Sequence, residues 1–154
     1  SETVIESSKE LLFRPGISVG RESLKVCSSV TVHSLHDPTE GGLTTGLYEI
    51  AYASNSGLTI DIENVPITHE TQIICTALGL NPLGLLASGA LIITLSPEDT
   101  PRAMRLLRSI NVTVNIIGRV TQQSDGVVMS TPHGVEPLPR FERDELARFF
   151  EETE

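Results

Sequence analysis

The sequence predicts an α+β domain in which helices flank a layered sheet. Along the 154 residues, stretches with helical spacing of apolar side chains alternate with short β-branched runs of period two. A paired-glycine turn joins the first strand-like run to an amphipathic helix. No βαβ unit repeats throughout the chain, and this favours a layered α+β domain over a doubly wound one.

The N-terminal part of the chain predicts three helices and one strand. Residues 4–13 and 19–28 place apolar side chains at helical spacing, and residues 30–35 form a short β-branched strand. Residues 43–53 form an amphipathic helix, and Glu49 lies off its apolar face. That face consists of Leu43, Leu47, Ile50 and Ala51.

The rest of the chain continues the alternation. Residues 57–62 alternate apolar and polar side chains as a half-buried strand does, and Pro66 and Thr68 introduce a helix over residues 69–80. The remaining predicted elements are a strand over 90–95, a helix over 100–109, a strand over 112–120 with Gly118 near its end, a strand over 127–129 that forms a hairpin through Asp125-Gly126, and a helix over 143–150.

Composition narrows the classes of function. With 11 basic and 20 acidic side chains, the formal charge of −9 disfavours nucleic acid as a partner. The apolar stretch over residues 83–95 is interrupted by glycine, serine and threonine, so we expect no membrane span. Cys27 and Cys75 lack the spacing of zinc ligands, so we predict small core residues and no metal site. Without a secretory signal pattern, a cytoplasmic protein with free thiols is expected.

The glycine turn, residues 36–42 (HDPTEGG), is the strongest functional signal. A helix N-terminus offers unpaired backbone N–H groups and a positive dipole end, both of which attract anions. Paired glycines let a phosphate approach the backbone closely. Asp37 or Thr39 could cap the helix, and an ordinary capped turn is the alternative interpretation, since Asp-Pro and Gly-Gly are common in loops.

Several side chains near this turn have two interpretations. His36 could donate to a phosphate or bond to a backbone group, and Glu49 could help to hold magnesium or form a structural hydrogen bond. Ser88-Gly89 could bring a strand close to the turn or line the same cleft. The predicted phosphate- or ligand-binding residues are Asp37, Thr39, Glu40, Gly41, Gly42, Leu43, Ser88 and Gly89.

Four segments resemble the C-terminal domain of the AIR synthase-related superfamily. Residues 37–43 (DPTEGGL), followed by Leu47, Glu49 and Ile50-Ala51, carry the main likeness. Residues 77–83, 87–91 and 117–120 match in the same order, and the likeness runs from about residue 16 to residue 140. Within the superfamily, which includes aminoimidazole ribonucleotide synthetase and thiamine-monophosphate kinase, the hydrogenase expression/formation branch is the most similar.

The resemblance implies a fold that is partly ferredoxin-like in topology. It predicts that residues 1–154 are one C-terminal domain, with a core over 16–140, an N-terminal helix over 4–13 and a C-terminal helix over 143–150. It also implies ATP and magnesium, held mainly by an N-terminal domain that has no counterpart in this chain. The implied partners are that N-terminal domain and a second copy of the longer protein.

This chain departs from the hydrogenase branch at two places. That branch ends in a tail whose cysteine carries the reacting group, whereas residues 137–141 read PLPRF here and no cysteine follows Cys75. Ala87-Ser88 stands where the branch has asparagine-glutamate. We therefore expect a ligand-closing domain that is not catalytic alone, belonging to an ATP-dependent ligase, dehydratase or phosphotransferase. The alternative is a non-catalytic binding or assembly module with a vestigial anion pocket.

Overall fold

A computed structural model describes residues 2–152 of the chain, which contain six α-helices and six strands. The helices are α1 (Glu2–Leu11), α2 (Gly20–Cys27), α3 (Gly42–Ser54), α4 (His69–Leu78), α5 (Thr100–Ser109) and α6 (Glu145–Glu152). The strands are β1 (Val32–His36), β2 (Ser56–Asp61), β3 (Ile92–Leu95), β4 (Gly118–Gln122), β5 (Val127–Thr131) and β6 (Gly134–Pro137).

The strands divide between two sheets. β1 and β3 form an antiparallel pair, and the other four strands form a sheet in the order β4-β2-β5-β6. Within the larger sheet, β2 runs antiparallel to β4 and parallel to β5, so that Leu58 lies between Val120 and Val127. The α+β class predicted from the sequence is confirmed, and the strands form two separate sheets.

The predicted hairpin through Asp125-Gly126 is wrong. β2 lies between β4 and β5, and the Leu58 N–H donates to the Gly126 carbonyl oxygen at 2.9 Å. The hairpin forms one step later, where β5 and β6 pair through the turn at Pro132 and His133. Local turn chemistry predicts that the chain reverses there, but not that a strand from far upstream occupies the middle position.

The core lies between α3 and the four-stranded sheet. Leu47, Ile50 and Ala51 of α3 are buried, whereas Glu49 is exposed, as the apolar stripe of this helix predicts. Leu43 is partly buried and packs against the same cluster. The other buried members of the cluster are Leu58, Ile60, Ile92 and Leu138. The predicted helix over 43–53 is thus confirmed, and its buried face is what fixes the position of the glycine turn.

The predicted strand over residues 112–120 begins only at Gly118, so the glycine opens the strand instead of lying near its end. Individual hydrogen bonds hold the preceding residues. The Asn115 side chain donates to the Asn64 carbonyl oxygen, and the Asp61 N–H donates to the Ile117 carbonyl oxygen, both at 2.8 Å. β-branched alternation is present in this segment, but β2 offers ladder partners only from Gly118 onward.

The prediction that both cysteines are core residues is wrong for Cys27. Cys75 is buried in α4, as predicted, whereas Cys27 is exposed at the end of α2. The side chain of Val26 takes the buried position of α2 and is 0% accessible. A short helix that buries one residue leaves its neighbour in the chain facing solvent.

None of the helices within residues 2–152 is long and apolar enough to cross a membrane. The terminal helices are also displaced slightly from their predicted bounds. α1 ends at Leu11, before an irregular turn over Leu12–Gly16, and α6 begins at Glu145.

Candidate functional site

The glycine turn requires both of its glycines. Gly41 and Gly42 have φ angles of +75° and +68°, in the left-handed region that favours glycine. A β-carbon on Gly42 would lie 2.5 Å from the Leu83 carbonyl oxygen and 2.6 Å from that of Leu85. Gly42 is therefore packed directly against the backbone of the loop over residues 83–85.

Gly41, the first of the two glycines, has a different partner. The Gly41 N–H donates to Oδ2 of Asp144 at 2.9 Å, and Asp144 lies 103 residues later in the sequence. The Gly42 N–H donates to the Thr39 carbonyl oxygen at 3.1 Å, and the Thr44 N–H donates to the Leu83 carbonyl oxygen at 3.2 Å. The turn at the start of α3 thus holds an anionic oxygen, and the chain itself supplies it.

Neither Asp37 nor Thr39 caps α3. The cap position is occupied by Gly41, and no side chain forms a capping hydrogen bond there. The side chains of Asp37 and Thr39 are exposed, and Thr39 contributes its backbone carbonyl, which accepts from Gly42 and Ala87. The prediction of a side-chain cap is wrong because the left-handed Gly41 separates both residues from the helix.

Ser88-Gly89 lies beside the turn without forming its surface. The Ala87 N–H donates to the Thr39 carbonyl oxygen at 3.2 Å and so brings this loop close to the turn. Ser88 and Gly89 are exposed, and β3 begins only at Ile92. The structure thus brings these two residues near the predicted anion site, through their backbone neighbour Ala87.

A groove of about 530 Å³ opens next to Gly41. Glu40, Gly41 and Thr45 form one side, and Leu86 lies across from them. The other wall belongs to residues 139–152, which we name the C-terminal strap. Its lining residues are Phe141, Glu142, Arg143, Asp144, Leu146, Ala147 and Phe150.

The C-terminal strap is anchored on the loop that follows α4. A β-carbon on Gly84 would lie 2.5 Å from Cγ of Phe141, so the Phe141 ring packs on the bare α-carbon of Gly84. The Glu145 N–H donates to the Gly84 carbonyl oxygen at 3.1 Å. In return, Oε2 of Glu145 accepts from the Asn81 N–H at 2.7 Å. The strap and this loop therefore form one wall of the groove.

An ion pair between a buried carboxylate and a partly exposed arginine holds the start of α6. Glu145 is only 5% exposed, and Nε of Arg148 lies 2.8 Å from its Oε1. The Arg148 hydrogen bond lowers the pKa of Glu145, burial opposes that shift, and the Asn81 N–H adds to it. Burial raises the pKa of the Cys75 thiol, and the charge of Glu145 raises it further. Cys75 thus stays a protonated core thiol at neutral pH.

His36, the first residue of the turn, forms a hydrogen bond with Glu49 of α3. Nε2 of His36 lies 2.7 Å from Oε2 of Glu49. The prediction of a backbone partner for His36 is wrong because α3 places a carboxylate within reach of the ring. For Glu49, the structural interpretation is the one observed.

A second groove, of about 470 Å³, continues along α3 from Thr45 and Phe141. Tyr48 lines it, and its hydroxyl donates to the Leu138 carbonyl oxygen at 2.6 Å. The guanidinium carbon of Arg140 lies 4.2 Å from the centroid of the Tyr48 ring. The Arg140 contact attaches the beginning of the strap to the middle of α3, and the Leu138 hydrogen bond holds the residue just before the strap.

Sequence reasoning missed Asp144, Phe141, Glu145 and Arg148. Asp144 precedes a helix, and its Oδ1 accepts from the Leu146 N–H at 2.9 Å as an N-cap does. An aspartate before a helical pattern signals that cap. Nothing in the local sequence indicates that its second oxygen reaches Gly41. Within residues 2–152, no three or more histidine, cysteine, aspartate or glutamate side chains converge to hold a metal ion.

The fold and the site together define a class of protein. It is an α+β domain in which a strand and a paired-glycine turn lead into a largely buried helix, and the Gly41 N–H of that turn bonds to a carboxylate. The family model for the AIR synthase related protein, C-terminal domain, matches residues 17–130. The chain belongs to that family, which confirms the resemblance inferred from its sequence.

Longer proteins carry the same domain. A protein of Methanocaldococcus jannaschii described as a hydrogenase expression/formation protein is 35% identical over 122 residues, covering 72% of this chain and 36% of that protein. The crystal structure of Escherichia coli HypE, a hydrogenase maturation protein, has the same fold (TM-score 0.76, 23% identity, 85% of this chain, 42% of that one). A HypE structure in complex with ATP is 33% identical (TM-score 0.63, 73% and 37%). The chain spans less than half of each of these relatives.

Proposed function

We propose that this chain is the ligand-closing domain of an ATP-dependent enzyme similar to the hydrogenase maturation branch of its family. The observation that carries the proposal is the Gly41 N–H, which holds an anionic oxygen at the N-terminus of α3. A phosphate oxygen is the same kind of acceptor, and the helix dipole favours its negative charge. The Asp144 carboxylate is thus a stand-in for a phosphate group.

The contribution of this chain would be electrostatic. The backbone N–H groups of Gly41 and Leu43 would face phosphate charge at the closed cleft. Gly42, whose own N–H donates to the Thr39 carbonyl oxygen, would give the turn its shape by packing on the loop over residues 83–85. Thr39, Ser88 and Gly89 would lie at its rim, and Asp37 beside them. Glu40 lines the groove and suits a phosphate whose charge magnesium already neutralises.

ATP, when bound, supplies a phosphoryl group to an oxygen of the substrate. In this proposal, the longer protein's N-terminal domain holds ATP and magnesium, and this chain closes over them without catalysing the reaction alone. The reaction belongs to the ligase, dehydratase or phosphotransferase type. We also propose that the longer protein forms a homodimer in the cytoplasm, where its free Cys27 and Cys75 would stay reduced.

A second candidate is a non-catalytic binding or assembly module with a vestigial anion pocket. The contact between Gly41 and Asp144 favours it, because the chain already fills its own anion position. The two candidates differ in whether phosphate reaches the turn.

Amide NMR during titration with ATP, inorganic phosphate and adenosine separates these candidates. The ligand-closing domain predicts that ATP and phosphate at millimolar concentration shift the amide signals of residues 41–43, and that adenosine does not. The matched control is a variant without the Asp144 carboxylate, in which the Gly41 N–H is available. Unchanged signals at residues 41–43 in both chains would contradict the proposed function and support the module.

A further inference from the structure

The C-terminal strap lies outside the part of the chain that defines the family. The family match ends at residue 130, whereas the strap begins at residue 139. Its Asp144 carboxylate bonds to two elements at once, with Oδ1 on the Leu146 N–H and Oδ2 on the Gly41 N–H, each at 2.9 Å. The same side chain therefore caps α6 and closes the glycine turn.

We propose that the strap is an autoinhibitory closure in which Asp144 competes with phosphate for the Gly41 N–H. The inference rests on the proposed function, because it assumes that the turn binds phosphate. A phosphate oxygen at this position would meet the Asp144 carboxylate at hydrogen-bond distance. Two anions at that separation repel each other strongly in a partly buried groove. Phosphate therefore binds only after the strap has moved.

The strap is built to detach as a unit. α6 spans eight residues, and isolated helices shorter than roughly 12 residues are marginal in water. Its stability thus depends on its anchors, the Phe141 ring on Gly84 and the buried Glu145. Leu146 and Phe150, which line the groove, remain 39% and 59% exposed. Loss of the anchors exposes Gly41 and opens the groove together.

The charge of Asp144 can be removed while its cap is kept. Serine is a good N-cap and cannot place a negative charge on Gly41, so Asp144→Ser preserves the start of α6. The matched control is Asp125→Ser, which changes the net charge equally at a residue that lines neither groove. Binding of inorganic phosphate is measured by calorimetry and by the amide signal of Gly41.

We expect Asp144→Ser to bind phosphate about tenfold more tightly than the wild-type chain, since a charge-assisted hydrogen bond no longer has to be replaced. Asp125→Ser should match the wild type within about twofold, because exposed charges are screened. Equal affinity in Asp144→Ser and the wild type, with the Gly41 signal still shifting, would overturn the strap inference and leave the proposed function standing. An equal gain in Asp125→Ser would also overturn it. No binding in any chain would instead contradict the proposed function.

Hydrogen exchange in the wild-type chain tests the closure without any substitution. Saturating phosphate should speed the exchange of the α6 amides, from Leu146 onward, because the bound anion displaces the strap. The α3 amides of the same chain serve as the internal control and should not exchange faster. A Gly41 signal that shifts with phosphate while α6 exchange stays unchanged would overturn the closure. This measurement also decides the matter if Asp144→Ser fails to fold.

Discussion

The two sides of the glycine turn are built from different kinds of contact. On the inner side, the α-carbon of Gly42 packs against backbone carbonyls of Leu83 and Leu85, where no β-carbon fits. On the outer side, the N–H of Gly41 bonds to the side chain of Asp144, which belongs to the C-terminal strap. Gly42 thus faces an inner wall of backbone carbonyls, and Gly41 faces an outer wall formed by one side chain, Asp144.

This difference separates what shapes the turn from what occupies it. The inner wall consists of main-chain atoms that also accept the Thr44 N–H, so moving it would disturb the start of α3. The outer wall is the side-chain carboxylate of Asp144 at the start of the short helix α6, and in the proposed closure it moves when that side chain rotates or that helix detaches. The proposed closure therefore has a ligand replace the outer wall and leave the inner one in place.

The largest effect is expected when a side chain is forced into the inner wall. Gly42→Ala should lower the free energy of unfolding by more than about 3 kcal/mol, because left-handed strain adds to overlap with two carbonyls. The control is Gly79→Ala, at φ +67° with no atom within 4 Å of its β-carbon, which should cost about 1 kcal/mol. Urea unfolding of both variants measures the difference. Equal losses would mean that the inner wall yields, and the contrast between the walls would be lost.

A smaller loss is expected from the anchor of the outer wall. Glu145→Ala should cost about 2 kcal/mol, because the Asn81 N–H loses a charged acceptor and the strap loses its ion pair. Glu152→Ala removes the exposed partner of the same Arg148 and should leave stability nearly unchanged. Thermal unfolding followed by circular dichroism compares the two. If Glu152→Ala proves as destabilising as Glu145→Ala, the strap is not held by the buried contact.

The stability that Glu145 gives to the strap should also depend on pH. The pKa of Glu145 is lowered from its ordinary 4.5 in the folded chain, so its contribution to stability is complete above that value and is lost as the pH falls through the folded pKa. Glu145→Gln lacks this titration. We expect the wild-type chain to lose more stability than Glu145→Gln between neutral and acidic pH, measured by urea unfolding. Parallel pH profiles for the two chains would remove Glu145 as the acid-sensitive anchor.

The smallest loss of stability is expected where the residue just before the strap is attached to α3. Tyr48→Phe removes the hydroxyl that donates to the Leu138 carbonyl oxygen at 2.6 Å and should cost about 1 kcal/mol. Tyr52→Phe alters a side chain that is 88% exposed on the same helix and should have no measurable effect. Equilibrium unfolding of both variants provides the comparison. A neutral Tyr48→Phe would show that the hydrogen bond to Leu138 does not help to hold the segment that leads into the strap.

Predictions from the sequence succeeded where one element carried the whole signal. The stripe of Leu47, Ile50 and Ala51 identifies α3 and its buried face because helical periodicity is a local property. The paired glycines likewise predict the turn before α3, and in the structure both have φ angles that favour glycine. Predictions failed where two distant segments compete for one place, as when β2 separates β4 from β5.

The candidate site divides in the same way. The sequence by itself determined an α+β domain of the AIR synthase-related family and a paired-glycine turn in front of an amphipathic helix. Only the tertiary structure decided which anion lies there, because Asp144 reaches Gly41 across 103 residues of chain. Periodicity and turn preference act over a few residues, whereas the partner of a backbone N–H is set by whichever segment the packed core brings beside it.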